Sequence, residues 1–410
     1  MRPFDLIREW LGCPFFRCCD RRARELRKAP RSPLQVSVVT LAGRQVATLS
    51  ADDRWSKQDI CSRVPGLSGP MLQMARLLYG SAELSEAVSL GSLGVEDGAC
   101  LQLLFDTKKS LQILTTSNDR TAKLWSAESG QCLRTFKGHG DWVTSAAFSH
   151  DGALVVTSSN DRLAKVWSVA SGECVRTLDE HTHSVKCASF SPNSTQVVTA
   201  SDDGTAKLWT VESGRCFRTL KGHRHCVRTA YFSPDGVRVV TASDDHTARL
   251  WNVETGDCVR TLDEHTNWLS SASFSHDGLC VVTAAYDQTA KLWSVASGKC
   301  FRTFSGHRRS VHSAFFSPDG AVIVTSSSDR SAKLWSAERG ECIRTLEGHR
   351  GFVTFATFSP DGGRVVTASD DGTAMLWSAE TGECLRKFEG HDGWLNSAVS
   401  SVPILTGELG

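Results

Sequence analysis

The chain has 410 residues, long enough for more than one domain and a large core. Its 46 Lys and Arg balance 45 Asp and Glu, which argues against a generally basic nucleic-acid binder, and no nucleic-acid partner is predicted. No run of 18 apolar residues occurs, so no helix is predicted to cross a membrane.

Residues 1–33 read as a basic, cysteine-containing disordered tail. Asp5, Arg8 and Glu9 interrupt what would be the apolar part of an export signal, so export is not expected. Residues 1–31 hold nine basic and four acidic side chains, with Cys13, Cys18 and Cys19 among them. Cysteines beside basic charge are candidates for acylation, and an acyl chain plus a basic cluster can anchor a protein. A membrane partner is expected only if that modification occurs.

Residues 34–106 form a separate unit. LQVSVVTLAGRQVATLS reads as a hairpin turning at Leu41-Ala42-Gly43, a helix is expected near 55–64, and RLLYGSAELSEAVSLGSLGVEDGACLQLLF has strand-like ends. Over about 72 residues this segment resembles ubiquitin: TLAG in the first turn, RLLYG, then Leu84, Leu90, Val95, Leu101 and Leu103 at that family's core spacing. The resemblance implies a small α+β (β-grasp) domain with an interaction face at Leu41, Leu78 and Leu104, and Gln102 where the family has His. The segment runs through Phe105-Asp106-Thr107 with no Gly-Gly terminus, so conjugation to other proteins is not expected.

From residue 107 to 401 the chain is periodic. VVTASDDGTAKLW at 197–209 returns as VVTASDDHTARLW at 239–251 and VVTASDDGTAMLW at 365–377. Tryptophans from Trp125 to Trp377 and histidines from His139 to His391 recur seven times each at an interval of 42. SPDG at 233–236, 317–320 and 359–362 places Pro, Asp and Gly where a type I turn wants them. Each unit therefore reads as four short strands, and a lone sheet of that kind must stack on its neighbours to bury its faces. Seven of the fifteen cysteines, from Cys132 to Cys384, keep the same interval. Equivalent positions in stacked units lie beyond the roughly 7 Å Cα reach of a disulfide, and no CxxC pair supports a zinc site. They read as reduced thiols serving as small apolar residues in an intracellular protein.

These repeats resemble the WD-repeat (WD40) family, which implies a mainly β, seven-bladed propeller. The family's buried tetrad of His, Ser/Thr, Asp and Trp maps onto His139, Thr157, Asp161 and Trp167, then His181, Thr199, Asp203 and Trp209, and so through every blade. Glu180 and Glu264 replace the usual Gly before two of the histidines. The first copy starts at its second strand and the last stops after its first, so 393–400 should join 111–137 in one composite blade that closes the ring. Residues 402–410 are left as a C-terminal tail. His, Thr and Asp in one chain invite a catalytic reading. Seven copies of the set argue instead for a structural relay, from indole N–H to Thr to imidazole to Asp. No enzyme, metal or cofactor is expected.

Specific information should then lie where blades differ. In the resembled family partners dock on the face formed by the loops before the first strand and after the second. Third after each His stand Trp142, Ser184, Cys226, Trp268, Ser310, Phe352 and Trp394, so closure should put Phe352, Trp394 and Trp142 on consecutive blades. Lys186, Arg228 and Arg224 should make the opposite sector basic, with Asp202, Asp244 and Asp370 tempering the charge and Tyr286 as one more aromatic. Clustered exposed aromatics beside arginine are the composition of interface hot spots. The expectation is a cytoplasmic (alternatively nuclear) scaffold binding other proteins. Its rivals are an adaptor or substrate receptor of the ubiquitin–proteasome system and a membrane-surface signalling scaffold.

Overall fold

The computed structural model describes residues 34–40, 45–51, 75–79, 82–84, 99–105 and 111–401, together with Trp55, Ile60, Leu90 and Val95. The chain divides into two compact units between Thr107 and Lys108.

In the first unit, β1 (Leu34–Thr40) and β2 (Gln45–Ala51) are antiparallel. β3 (Ala75–Tyr79), β4 (Ala82–Leu84) and β5 (Ala99–Phe105) complete a sheet of order β2-β1-β5-β3-β4. β1 and β5 run parallel, and a parallel pair needs a crossover connection rather than a hairpin. Val36, Ile60, Leu90, Val95 and Leu101 are buried, and the Leu90 N–H donates to the Trp55 carbonyl. Apart from Trp55 and the helical Ile60, the helix expected at 55–64 lies outside the described residues. So do the tails at 1–33 and 402–410.

The second unit is a ring of seven four-stranded antiparallel sheets. Blades one to six span 143–178, 185–221, 227–262, 269–305, 311–347 and 353–388. Blade seven is composite: Leu395–Ser400 is its innermost strand and pairs with Gln112–Ser117. The sequence of each strand follows from its place. The second strand of a blade, as in Gln196–Ser201, is buried at five of six positions, hence its unbroken run VVTAS. The third alternates over TAKL and then buries the tetrad Trp beside Leu, as in TAKLW. Cores lie between blades: Val198, Leu208 and Leu220 of blade two pack with Val227, Ala230 and Trp251 of blade three. A single blade therefore has no core of its own.

The outermost strand is a blade's open edge, and there one expectation fails. Cys132, Cys174, Cys258, Cys342 and Cys384 are exposed thiols rather than buried apolar fillers. Only one position of that strand, such as Phe136 or Leu178, is covered by the neighbouring layer. The arginine two residues after each cysteine clasps the next blade. Arg134 donates to the Ser171 and Ala170 carbonyls, both at 2.7 Å, and Arg344 to Thr381 and Glu380 at 2.9 and 2.6 Å. Arg386 reaches Ser129 at 3.3 Å and so ties blade six to blade seven.

Candidate protein-interaction face

Each blade carries the same polar relay. In blade one the Trp167 indole N–H donates to Thr157 Oγ1 at 2.8 Å, that hydroxyl donates to His139 Nε2 at 2.7 Å, and Nδ1–H donates to Asp161 Oδ2 at 2.8 Å. In blade two Trp209, Thr199, His181 and Asp203 are linked at 2.8, 2.7 and 2.7 Å. Trp125, Thr115, His391 and Asp119 repeat the chain in blade seven. Burial pushes the Asp203 carboxyl up, but hydrogen bonds from His181 and Thr205 outweigh it and hold Asp203 well below the usual carboxylate range. The carboxylate also binds backbone: Asp161 accepts from the N–H of Gly140 and of Leu163. It thereby ties the loop before the innermost strand to the loop after the second. The threonine hydroxyl is buried with its indole, imidazole and main-chain neighbours around it.

These pinned loops present the variable residues. The carbonyl third after each tetrad His accepts the N–H of the residue before the tetrad Asp, as in Trp142 with Asn160 at 2.9 Å, Trp394 with Asn118 at 3.0 Å and Phe352 with Asp370 at 3.1 Å. The aromatic side chains ride on this fixed backbone and stay in solvent: Trp142 46%, Trp268 45%, Phe352 40% and Trp394 59% exposed. Phe352, Trp394 and Trp142 sit on blades six, seven and one, which are consecutive in the closed ring. Trp268 lies apart on blade four, tilted against Tyr286 with ring centroids 5.9 Å apart.

Fifth after the His, every innermost strand has a β-bulge, at Thr144, Lys186, Arg228, Ser270, His312, Thr354 and Asn396. A bulge re-aims its side chain. Here all seven turn to the axis and line a mouth of about 300 Å³, together with Trp142 and Tyr286. The two basic members are not free. Lys186 lies 3.1 Å from Asp202, and Arg228 grips Asp244 with two hydrogen bonds of 2.8 and 2.6 Å. Tyr286 is half-buried, its ring edge-on to His312 at 5.6 Å.

The opposite mouth was not anticipated. Phe148, Phe190, Phe232, Phe274, Phe316 and Phe358 rim an apolar bowl of about 670 Å³, broken at Ser400 on blade seven. Its signal was present as the Phe ahead of each Ser-Pro-Asp-Gly, Ser-His-Asp-Gly or Ser-Pro-Asn-Ser turn, but those turns read only as strand connections. Tyr231 lines both mouths and stacks edge-on with Phe315 at 5.6 Å, so aromatic rings stand between them. In the first unit, Leu78 pairs with Gln102, and Leu104 with Arg76, across β3 and β5. Leu41 lies outside the described residues, as do Cys13, Cys18 and Cys19.

Comparison with known proteins bears on the second unit. Residues 130–168, 172–210, 214–252, 256–294, 298–336 and 340–378 match the family described as "WD domain, G-beta repeat", and together they make up more than half of the chain. The seventh blade is split between the two ends of the ring, so no continuous stretch of it is there to match. Short stretches are similar to curated proteins: 48% identical over 40 residues to "Nuclear distribution protein PAC1" of Mycosarcoma maydis, and 50% identical over 42 residues to "Protein Notchless" of Drosophila melanogaster. Each match spans 10% of this chain and 9% of the relative.

Proposed function

Because the chain belongs to the WD-repeat family, we propose that it is a non-enzymatic scaffold whose propeller docks other proteins on the face bearing Trp142, Phe352 and Trp394. One observation carries this reading: three large aromatic rings, exposed on consecutive blades, are held by a backbone that the tetrads immobilise. Fixed aromatic anchors lose little conformational freedom on binding, and so convert contact area into affinity efficiently. Trp268, Tyr286, Lys186 and Arg228 extend the face across the axis. The test is affinity capture from source cells with the intact chain and with a Trp142→Ala/Phe352→Ala/Trp394→Ala variant of unchanged melting temperature. The variant should lose partners that the intact chain retains; identical capture by both would sink the reading.

A second reading rests on the first unit, which we take as a ubiquitin-like domain spanning 34–106. Its mixed sheet with a parallel β1–β5 pair, and the burial of Val36, Leu90, Val95 and Leu101, support it. On that reading the chain is an adaptor presenting cargo to the ubiquitin–proteasome system through Leu41, Leu78 and Leu104. Proteasome or ligase subunits captured by the intact chain, and lost on Leu78→Ala/Leu104→Ala, would establish it; their absence from the intact chain's partners would remove it.

A further inference from the structure

Among the described residues, exposed arginines cluster most densely in one sector of the docking face, and that cluster specifies what the face accepts; the inference rests on the docking reading above. Arg308 and Arg309 follow the tetrad His of blade five, Arg330 follows that blade's tetrad Asp, and Arg350 follows the tetrad His of blade six. All four are exposed. Their hydrogen bonds are made by the backbone: Arg308 and Arg350 N–H with the tetrad carboxylates, Arg330 N–H with the Ser327 carbonyl, and the Arg309 carbonyl with Ser327 Oγ. Arg308 and Arg330 line one cleft of about 300 Å³ with Lys333 and Glu347. The patch continues to the aromatic arc. Arg330 is a counter-charge to Asp370, whose N–H holds the Phe352 carbonyl.

Other sectors differ. Lys186 and Arg228 are neutralised by Asp202 and Asp244. Arg224 is alone on blade three. On blades seven and one, Arg120 and Arg162 stand singly after their tetrad Asp, Arg120 in a cleft with Lys123, Lys137 and Asp392, and the loops before Trp394 and Trp142 carry Asp392 and Asp141.

We infer that the docking segment is a peptide that places carboxylates over blades five and six and apolar side chains over Phe352, Trp394 and Trp142. Neighbouring guanidinium groups repel, and carboxylates set among them relieve that repulsion while forming paired N–H···O bonds. The aromatic arc begins on blade six, where the arginines end, so one extended segment meets both. Arginine and aromatic rings also suit single-stranded nucleic acid. A nucleic acid, however, carries charge along its whole length and would bring phosphates against Asp392 and Asp141 beside the tryptophans. A peptide confines its charge to one end.

The test uses the full chain and fluorescent synthetic peptides joining a Glu/Asp block to a Leu/Trp block in either order, each with a Gln/Asn counterpart. An Arg308→Glu/Arg330→Glu/Arg350→Glu variant and the aromatic triple variant are compared after matching melting curves. An acidic–apolar peptide should bind the intact chain and weaken about tenfold or more in the arginine variant and in its Gln/Asn form. Its binding should also fall with added salt. Binding lost only in the aromatic variant overturns the charge inference and leaves the docking reading standing. Binding indifferent to both variants overturns both. Failure of every acidic–apolar peptide, or binding of an oligouridylate in their place, also overturns the inference.

Discussion

Thr199 accepts the Trp209 indole proton and donates to His181, with both partners buried. Thr199→Val keeps the shape and removes both roles, leaving an indole N–H and an imidazole nitrogen unsatisfied. Each orphan costs about 1–3 kcal/mol, so the urea midpoint should fall clearly with little change in slope. Acid should act in two stages. Burial and the neighbouring His307 hold His312 down at about 4, below its usual value. The unfolded chain therefore takes up that proton first, and stability should decline as pH falls from about 6.5 to about 4. The tetrad carboxylates of Asp203, Asp245, Asp287 and Asp371 are held below the usual range. Their contribution is intact above about pH 4 and lost as pH falls further toward their folded values. Urea midpoints measured against pH should show both stages, and His312→Gln should remove the first alone. Residue identity foretold the tetrad, because seven copies at one spacing expose the pattern. It set Asp202 and Asp244 on the same face to temper Lys186 and Arg228, but not in direct contact with them. That contact depends on a bulge turning each side chain toward an Asp of its own blade, which no linear spacing reveals.

At the scale of elements, two devices close the ring: the strand Leu395–Ser400 and the arginine clasps. Arg344→Ala removes two hydrogen bonds to blade six at a partly exposed site and should cost about 1 kcal/mol, lowering Tm by a few degrees. Deleting residues 394–401 is far more damaging. It uncovers Ile113, Trp125 and Phe388, which cluster with Leu395 and Ala398, and leaves Gln112–Ser117 as a free edge. Limited proteolysis should then cut blade seven first, and calorimetry should show a broadened transition; an unchanged single transition would contradict this account of closure. Strand number and blade count were legible from the 42-residue interval. The exposed cysteines were not. Cysteine is usually buried, and only the order of strands within a blade shows that Cys132 and its equivalents lie on an open edge.

The second unit is a ring with two unlike mouths: one rimmed by variable aromatic and charged loops, the other by a near-uniform circle of phenylalanines. The variable mouth was legible once closure was assumed, since closure alone makes Phe352, Trp394 and Trp142 neighbours. The apolar bowl was not, because each Phe looks like an ordinary strand end until six of them meet around an axis. Hydroxyl-radical footprinting of the chain alone and with a captured partner separates the two mouths, since tryptophan and phenylalanine side chains report their own solvent access. Docking on the variable face predicts strong protection of Trp142, Phe352 and Trp394, with Phe148 to Phe358 unchanged. Protection of the phenylalanine circle, with the three aromatic anchors still oxidised as in the free chain, would contradict it.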